Sequence, residues 1–317
     1  RKEKTLWTQN ETGSPVVCYR AADETAEAEF VCEKIQELNR DEGFSFNDMS
    51  ILYRTNAQSR VMEDMLRRHG LPYQVIGGLR FYERKEVKDV LAYMRVVLNP
   101  SDSVSLKRII NVPVRGIGKT SLEKIEEYCS EKEVTLLEGL RDNGQTSLTA
   151  PAAGKKIAQF LQIIDDLDAT FKQGNPLELL TEVIDRSGYG EMLKKEDTRE
   201  SKGRIENLNE LFSAVEQSIE SGKGSLQEFL DSASLVAQLD NLDDERGVLP
   251  LMTLHTCKGL EFSAVFLVGM ENGLLPHASS MSEPEEYEEE RRLCYVGFTR
   301  ARKKLFVTHA TQRRIYG

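Results

Sequence analysis

The sequence predicts an α/β protein in which one parallel-sheet domain is divided by an all-helical segment. Three observations support this. Strand and helix signals alternate over the first hundred residues; only helical periodicity follows, from Ser101 to about Glu245; short apolar strand signals return from Gly247. The expected division is 1–99 and 247–317 for the sheet domain and 100–246 for the helical one. Each flanking segment alone would build a thin core, so one shared sheet is favoured over three small domains.

PVVCYRA (Pro15–Ala21) reads as the first strand, and Asp23–Arg40 as an amphipathic helix with Asp23 as N-cap. Met49–Thr55 (MSILYRT) is a buried strand. QSRVMEDMLRRHG is a helix stopped by Gly70, a residue suited to the left-handed position after a helix. LPYQVIGG is a third strand, and Glu83–Asn99 a helix ended by Pro100. The middle segment shows helical spacing in Leu122–Tyr128, Lys155–Phe171, Leu177–Ser187, Arg204–Ile219 and Leu226–Leu235. Breaks are expected at RDNGQTS, KQGNP and ESGKGS, and DNLDDERG closes the segment as an acidic loop. Gly247–His255, Ser263–Met270 and Lys303–Ala310 have the apolar, β-branched character of buried strands, with the helix EEYEEERRLCYVGFTRA before the last.

A chain of 317 residues has room for about two domains, and 39% hydrophobic residues supply their cores. No apolar run approaches the ~20 residues of a membrane span. The opening RKEKTLWTQNETG has no apolar signal region, and the absence of an initial Met suggests part of a longer protein. Five scattered cysteines, never spaced CxxC, argue against disulfides or zinc and suit a cytoplasmic location. A net charge of -10 argues against an all-basic surface but leaves room for a local basic groove.

GIGKTS, from Gly116, resembles the tail of a phosphate-binding P-loop. The pattern needs its first glycine at 113, where Pro113 has no N–H to offer a phosphate, so that reading fails. Leu251–His277 carries Thr253, His255, Lys258 and Glu261 within nine residues around a turn between two strands. Polar residues at strand ends face the crevice where α/β sheets place ligands, although capping and solvation would also explain them. In Glu288–Ala310, Arg292, Tyr295 and Val296 share one helix face, and Arg300 and Arg302 arrive just before a strand, where a guanidinium can reach phosphate oxygens. Glutamates at the start of that helix and arginines at its end also suit its dipole.

Together with YRTNAQSR from Tyr53 and GGLRFYERKEVKDVLAYMR from Gly77, these blocks resemble the UvrD/PcrA/Rep group of superfamily 1 DNA helicases over essentially the whole chain. The resemblance implies the second half of such an enzyme: a RecA-like domain, 2A, split around a helical insertion, 2B. The phosphate loop and the acidic pair that holds Mg²⁺ would belong to a first half, since neither pattern occurs here. It implies ATP bound between two RecA-like domains and 3′ to 5′ movement on single-stranded DNA, in repair or replication.

By the same resemblance, Arg300 reaches the γ-phosphate and Glu261 holds the ribose, with Lys258 and Arg292 supporting the nucleotide cleft. Arg54, Asn56, Arg80, Thr253 and His255 contact the single strand, while Arg60 could equally be an ion-pair residue of its own helix. Cys257 stands where the family usually has Ala or Ser. The expected partners are single-stranded and junction DNA, the first RecA-like half, and repair, replication or transcription proteins, with no membrane. A helicase–nuclease fragment or a docking module without its own activity are the alternatives. The GIG turn then resembles a helix–hairpin–helix turn facing duplex DNA. Gly116 and Gly118 would let backbone N–H groups meet a phosphate, and Arg115 and Lys119 would add charge.

Overall fold

The computed structural model describes residues 13–172, 174–222, 224–239 and 247–314. Most of the expected acidic loop, the opening basic residues and the last three residues lie outside them.

The elements, in chain order, are β1 (Val17–Ala21), α1 (Glu24–Glu42), β2 (Met49–Tyr53), α2 (Ser59–Arg68), β3 (Tyr73–Val75), α3 (Lys85–Leu98), α4 (Ser103–Ile109), α5 (Lys119–Lys132), α6 (Leu136–Thr146), α7 (Pro151–Phe171), α8 (Pro176–Arg186), α9 (Tyr189–Glu196), α10 (Arg199–Glu220), α11 (Leu226–Leu239), β4 (Leu249–Thr253), β5 (Phe262–Leu267), α12 (Pro284–Phe298) and β6 (Ala301–Ala310). The described residues form two compact units: 13–81 with 247–314, and those between 82 and 239.

The first unit is built on six parallel strands in the order β1-β6-β5-β2-β4-β3. Every residue of the central strand β2 is buried; four of the five are largely apolar, and the Ser50 hydroxyl donates to the Pro250 carbonyl at 3.0 Å. Its side chains alternate between two cores. Met49, Ile51 and Tyr53 pack with α1 and α2 residues such as Val31, Ile35 and Leu66, whereas Leu52 packs with Met252, Cys257, Leu267 and Leu293 of α12. Asp23 caps α1 by accepting from the Ala26 N–H at 2.8 Å, and Gly70 adopts φ +64 after α2, both as expected. Within α2, Arg60 donates to Asp64 at 3.0 Å, in line with its ion-pair reading.

The second unit is entirely helical among the described residues. Its boundary differs from the sequence reading, which ends the first sheet segment at Asn99. α3 belongs with the helical unit because it is buried on nearly every side, from Val87 to Val97. Its one buried carboxylate in mid-helix, Asp89, is satisfied by Arg108 at 2.8 Å and by the Tyr189 hydroxyl at 2.9 Å. RDNGQTS is not a break: α6 runs through it to Thr146, started by a Thr135–Glu138 capping box. The Asn143 side-chain Oδ1 in that stretch turns inward to accept from Thr149 N–H at 3.0 Å. The short helices α4 and α9 are additions to the expected set. Among the described residues no helix is long and apolar enough to cross a membrane.

Candidate nucleotide and nucleic-acid interface

The strand register divides the polar residues of the sheet unit between two opposite edges. Thr253 ends β4 opposite Tyr53, which ends β2, and the N–H of Val268 after β5 bonds to Leu52 of β2. Glu261 precedes the first residue of β5, and Arg300 the first of β6; Phe262 pairs with Ala301. Six strand steps separate Phe262 from Val268, roughly 20 Å at the usual rise. The link from Leu254 to Glu261 therefore crosses the sheet from one edge to the other. The sequence reading puts Thr253, His255, Lys258 and Glu261 in one crevice; the parallel register sends the first two and the last to opposite edges.

At the carboxyl edge, the Thr253 and Thr256 hydroxyls lie 2.9 Å apart, and His255 and Asn56 are exposed. The loop after β3 closes against them. An added Cβ at Gly77 would sit 2.9 Å from Thr256 Cγ2, and one at Gly78 would lie 3.8 Å from Asn56 Oδ1. Arg80 follows, its guanidinium 5.4 Å from the Tyr73 ring centre. Arg54 is held differently. Its Nε donates to both oxygens of Glu290 on α12 at 3.0 and 2.9 Å and its Nη2 to Oε1 at 2.7 Å, with both side chains largely buried. Glu290 also accepts the His277 N–H at 3.0 Å. Arg54 therefore ties the end of β2 to α12 and to the His277 loop.

Burial alone would raise the Glu290 pKa, but Arg54 and the His277 N–H together hold it below the usual carboxylate value of 4.5. A carboxylate lowered in the folded state adds stability above its unfolded pKa, and that contribution is lost as pH falls through the folded value. In denaturant titrations from about pH 7 to about pH 3, the stability gap between wild type and Glu290→Gln is expected to narrow as Glu290 protonates.

At the amino edge, Arg300 is aimed by its surroundings. Nε donates to the Val296 carbonyl at 2.9 Å, Nη1 to the Leu260 carbonyl at 2.8 Å, and Nη2 to Thr299 Oγ1 at 3.0 Å. These contacts occupy three of about five guanidinium N–H groups and fix the fork while leaving donors for an anion. Glu261 accepts from Arg302 Nε at 3.0 Å. Arg292 donates to Glu289 at 2.6 Å on the exposed face of α12, and Lys258 is exposed on the crossing turn. Cys257 on that turn is fully buried, its thiol pKa raised by burial, and it packs as a small apolar residue. Gly297 of α12 lets the helix approach this turn, since an added Cβ would lie 2.6 Å from Leu254 Cδ2 and 3.4 Å from Leu267 Cδ2. Gly297→Val is expected to cost about 1–3 kcal/mol in chemical denaturation, by overpacking a closed core.

In the helical unit, α5 starts at Lys119 with Gly118 as N-cap, and no side chain caps it. Ile117 is buried and anchors the turn, while the Asn111 side chain binds the Ile117 N–H and carbonyl. Gly116 takes φ +72. Arg115 departs from its expected role. Its Nη1 donates to the carbonyls of Ile109 and Val112 at 3.0 Å, and its Nη2 to the Tyr93 hydroxyl at 2.7 Å and the Ser187 carbonyl at 3.1 Å. It also lies 5.3 Å from the Phe160 ring centre. The guanidinium neutralises the carbonyl end of α4 and faces inward, because those oxygens and the rings offer it a fuller set of partners than water does on the turn. Lys119 stays out, its side chain 90% exposed and 3.5 Å from Glu123.

The sequence model of the UvrD-like helicase C-terminal domain matches residues 1–312. The chain belongs to that family. The ATP-dependent DNA helicase PcrA of Staphylococcus aureus is 43% identical over 326 aligned residues, and those of Bacillus subtilis and Staphylococcus epidermidis are 42% identical. Each alignment covers all of this chain and 44% of the relative, so the chain spans less than half their length.

Within this UvrD-like C-terminal domain, sequence reasoning missed Glu290 as the partner of Arg54, His277 as the N–H donor to Glu290, and Lys156 beside the GIG turn, where its Nζ donates to the Gly116 carbonyl at 3.1 Å. Glu290 sits inside the acidic run of α12 and carries no local mark, but Lys155-Lys156 was a legible basic pair opening a helix.

Proposed function

We propose that this chain is the carboxyl-terminal part of an ATP-dependent DNA helicase that moves 3′ to 5′ on single-stranded DNA in the cytoplasm, serving repair or replication. The sheet unit acts as the RecA-like domain 2A and the helical unit as the insertion 2B. The observation that carries this reading is the separation of the two polar sets on opposite edges of one sheet. The carboxyl edge offers the hydrogen-bonding groups of Asn56, Thr253 and His255, with Arg80 beside them, which suits the backbone and bases of a single strand. The amino edge offers Arg300 held by three acceptors, which suits a polyphosphate.

ATP supplies the phosphoryl group whose transfer to water drives the cycle, with Mg²⁺ held by the other RecA-like half. Arg300 would meet the γ-phosphate oxygens from the facing side, so that hydrolysis depends on closure. Glu261 would hold the ribose, and Lys258 and Arg292 would add positive charge to that rim. One rigid sheet would then link strand grip to nucleotide state. The test is hydrolysis by the purified 317-residue chain with single-stranded DNA: none is expected, and DNA-stimulated turnover would overturn this division of labour.

A further inference from the structure

We infer that Glu63, on α2, is a positioning residue for the DNA grip, fixing Arg80 through the ring beside it and the peptide that follows it. The inference rests on the reading of Arg80 as a contact to the single strand. In the sequence Glu63 is one of several charged residues on an amphipathic helix. In the fold it is turned inward and only 3% exposed. The Ser59 hydroxyl donates to its Oε1 at 2.5 Å, and its Oε2 accepts from the Tyr73 hydroxyl at 3.4 Å and from the Phe81 N–H at 3.3 Å. The last two bonds are long, but their acceptor is a buried carboxylate, which holds a donor more strongly than a neutral oxygen does.

These two donors bracket Arg80. Tyr73, on β3, holds its ring centre 5.4 Å from the Arg80 guanidinium, and Phe81 is the next residue along the chain, itself buried. A phenol that donates to a carboxylate leaves its ring richer in electrons, a better seat for a cation. Burial, and then the Glu63 charge, push the Tyr73 phenol far above its usual pKa, so it stays a donor. The loop after β3 is pinned at both ends: the Ile76 N–H bonds to the Leu251 carbonyl of β4 at 2.8 Å, and the Phe81 N–H to Glu63. Between the pins Gly77 takes φ +73, and Gly78 and Leu79 are exposed. Adjacent glycines leave such a loop free to wander, so its far pin sets where Arg80 stands. Seating a long side chain in advance lowers the ordering cost of binding, which is how Glu63 raises affinity without touching DNA.

The test is single-stranded DNA binding and DNA-stimulated ATP hydrolysis by the full-length protein carrying Glu63→Gln, Tyr73→Phe, Arg80→Ala, or Glu63→Gln with Arg80→Ala. Glu63→Gln keeps the side-chain shape and removes the charge. It is expected to weaken DNA binding about fivefold and to raise the DNA concentration for half-maximal hydrolysis by the same factor. Turnover at saturating DNA and the KM for ATP stay within about twofold, a split that general loss of structure would not give. Tyr73→Phe keeps the ring and its packing and should weaken binding about threefold. Arg80→Ala should bind about tenfold more weakly than wild type, and adding Glu63→Gln to it brings no further loss, because the effect of Glu63 runs through the arginine.

Wild-type affinity in Glu63→Gln or in Tyr73→Phe, with Arg80→Ala weakened, would overturn the inference and leave the reading of Arg80 intact. A further loss of about fivefold in the double variant would overturn it too, since Glu63 would then act independently of Arg80. Wild-type affinity in Arg80→Ala would overturn the underlying reading itself.

Discussion

Arg300→Ala in the full-length protein is expected to lower DNA-stimulated ATP hydrolysis by about a thousandfold or more, the scale for an arginine that meets a transferring phosphoryl group. Nucleotide affinity should change much less, because the charge it meets grows in the transition state. Arg300→Lys should rescue little. The guanidinium is braced simultaneously by Val296, Leu260 and Thr299, and a single ammonium cannot keep those three bonds and still offer donors outward. Steady-state turnover with saturating single-stranded DNA checks this, and near-normal turnover by either variant would remove Arg300 from the nucleotide site.

Arg115→Ala should destabilise the helical unit clearly, by about 2–3 kcal/mol, the scale for losing hydrogen bonds from a charged group. The loss takes the charged donor from the Ile109, Val112 and Ser187 carbonyls and from the Tyr93 hydroxyl, leaving the first two only neutral donors, the Val112 N–H and the Tyr93 hydroxyl. That hydroxyl is buried enough for its pKa to be pushed up to about 12, so it stays neutral and cannot replace the missing cation. Urea denaturation followed by helical circular dichroism checks the size of the loss. Below the transition, the salt slope for junction DNA should match wild type. A variant of wild-type stability with junction binding abolished would return Arg115 to the phosphate face.

The contrast between Arg300 and Arg115 shows what the sequence could and could not express. Arg300 sits where a helix hands over to a strand, and that local pattern fixes which edge of the sheet it occupies. Arg115 lies beside two glycines and a lysine, a context that reads as an anion-binding turn, yet its direction is decided by Tyr93, Phe160 and Ser187, all distant in sequence. Arg54 is similar: its carboxylate partner lies 236 positions away, and no local periodicity could announce it.

The inner strands β2, β4 and β5 were legible because parallel strands buried on both faces are short, mostly apolar runs. The helix α6 was obscured by Asn143 and Gly144, which look like a turn until Asn143 is seen to serve Thr149 from inside. The boundary at α3 was obscured because an amphipathic reading cannot say which neighbour a helix will join. Lys85, Lys88, Asp89 and Arg95 supply a polar stripe in the sequence, and only partners distant in sequence, Arg108 and Tyr189, bury Asp89 at the centre of the helical unit.

The central claim is that one sheet keeps strand grip and phosphate contact on opposite edges. The most direct test is the single-stranded DNA dissociation constant of the full-length Arg300→Ala protein without nucleotide, set beside that of His255→Ala. Arg300→Ala should bind DNA within about twofold of wild type, since roughly 20 Å of sheet separates it from the carboxyl edge, whereas His255→Ala should bind about tenfold more weakly, the scale for losing one stacking or hydrogen-bonding contact to a base. Equal weakening by both, or wild-type affinity in His255→Ala with loss in Arg300→Ala, would contradict the account.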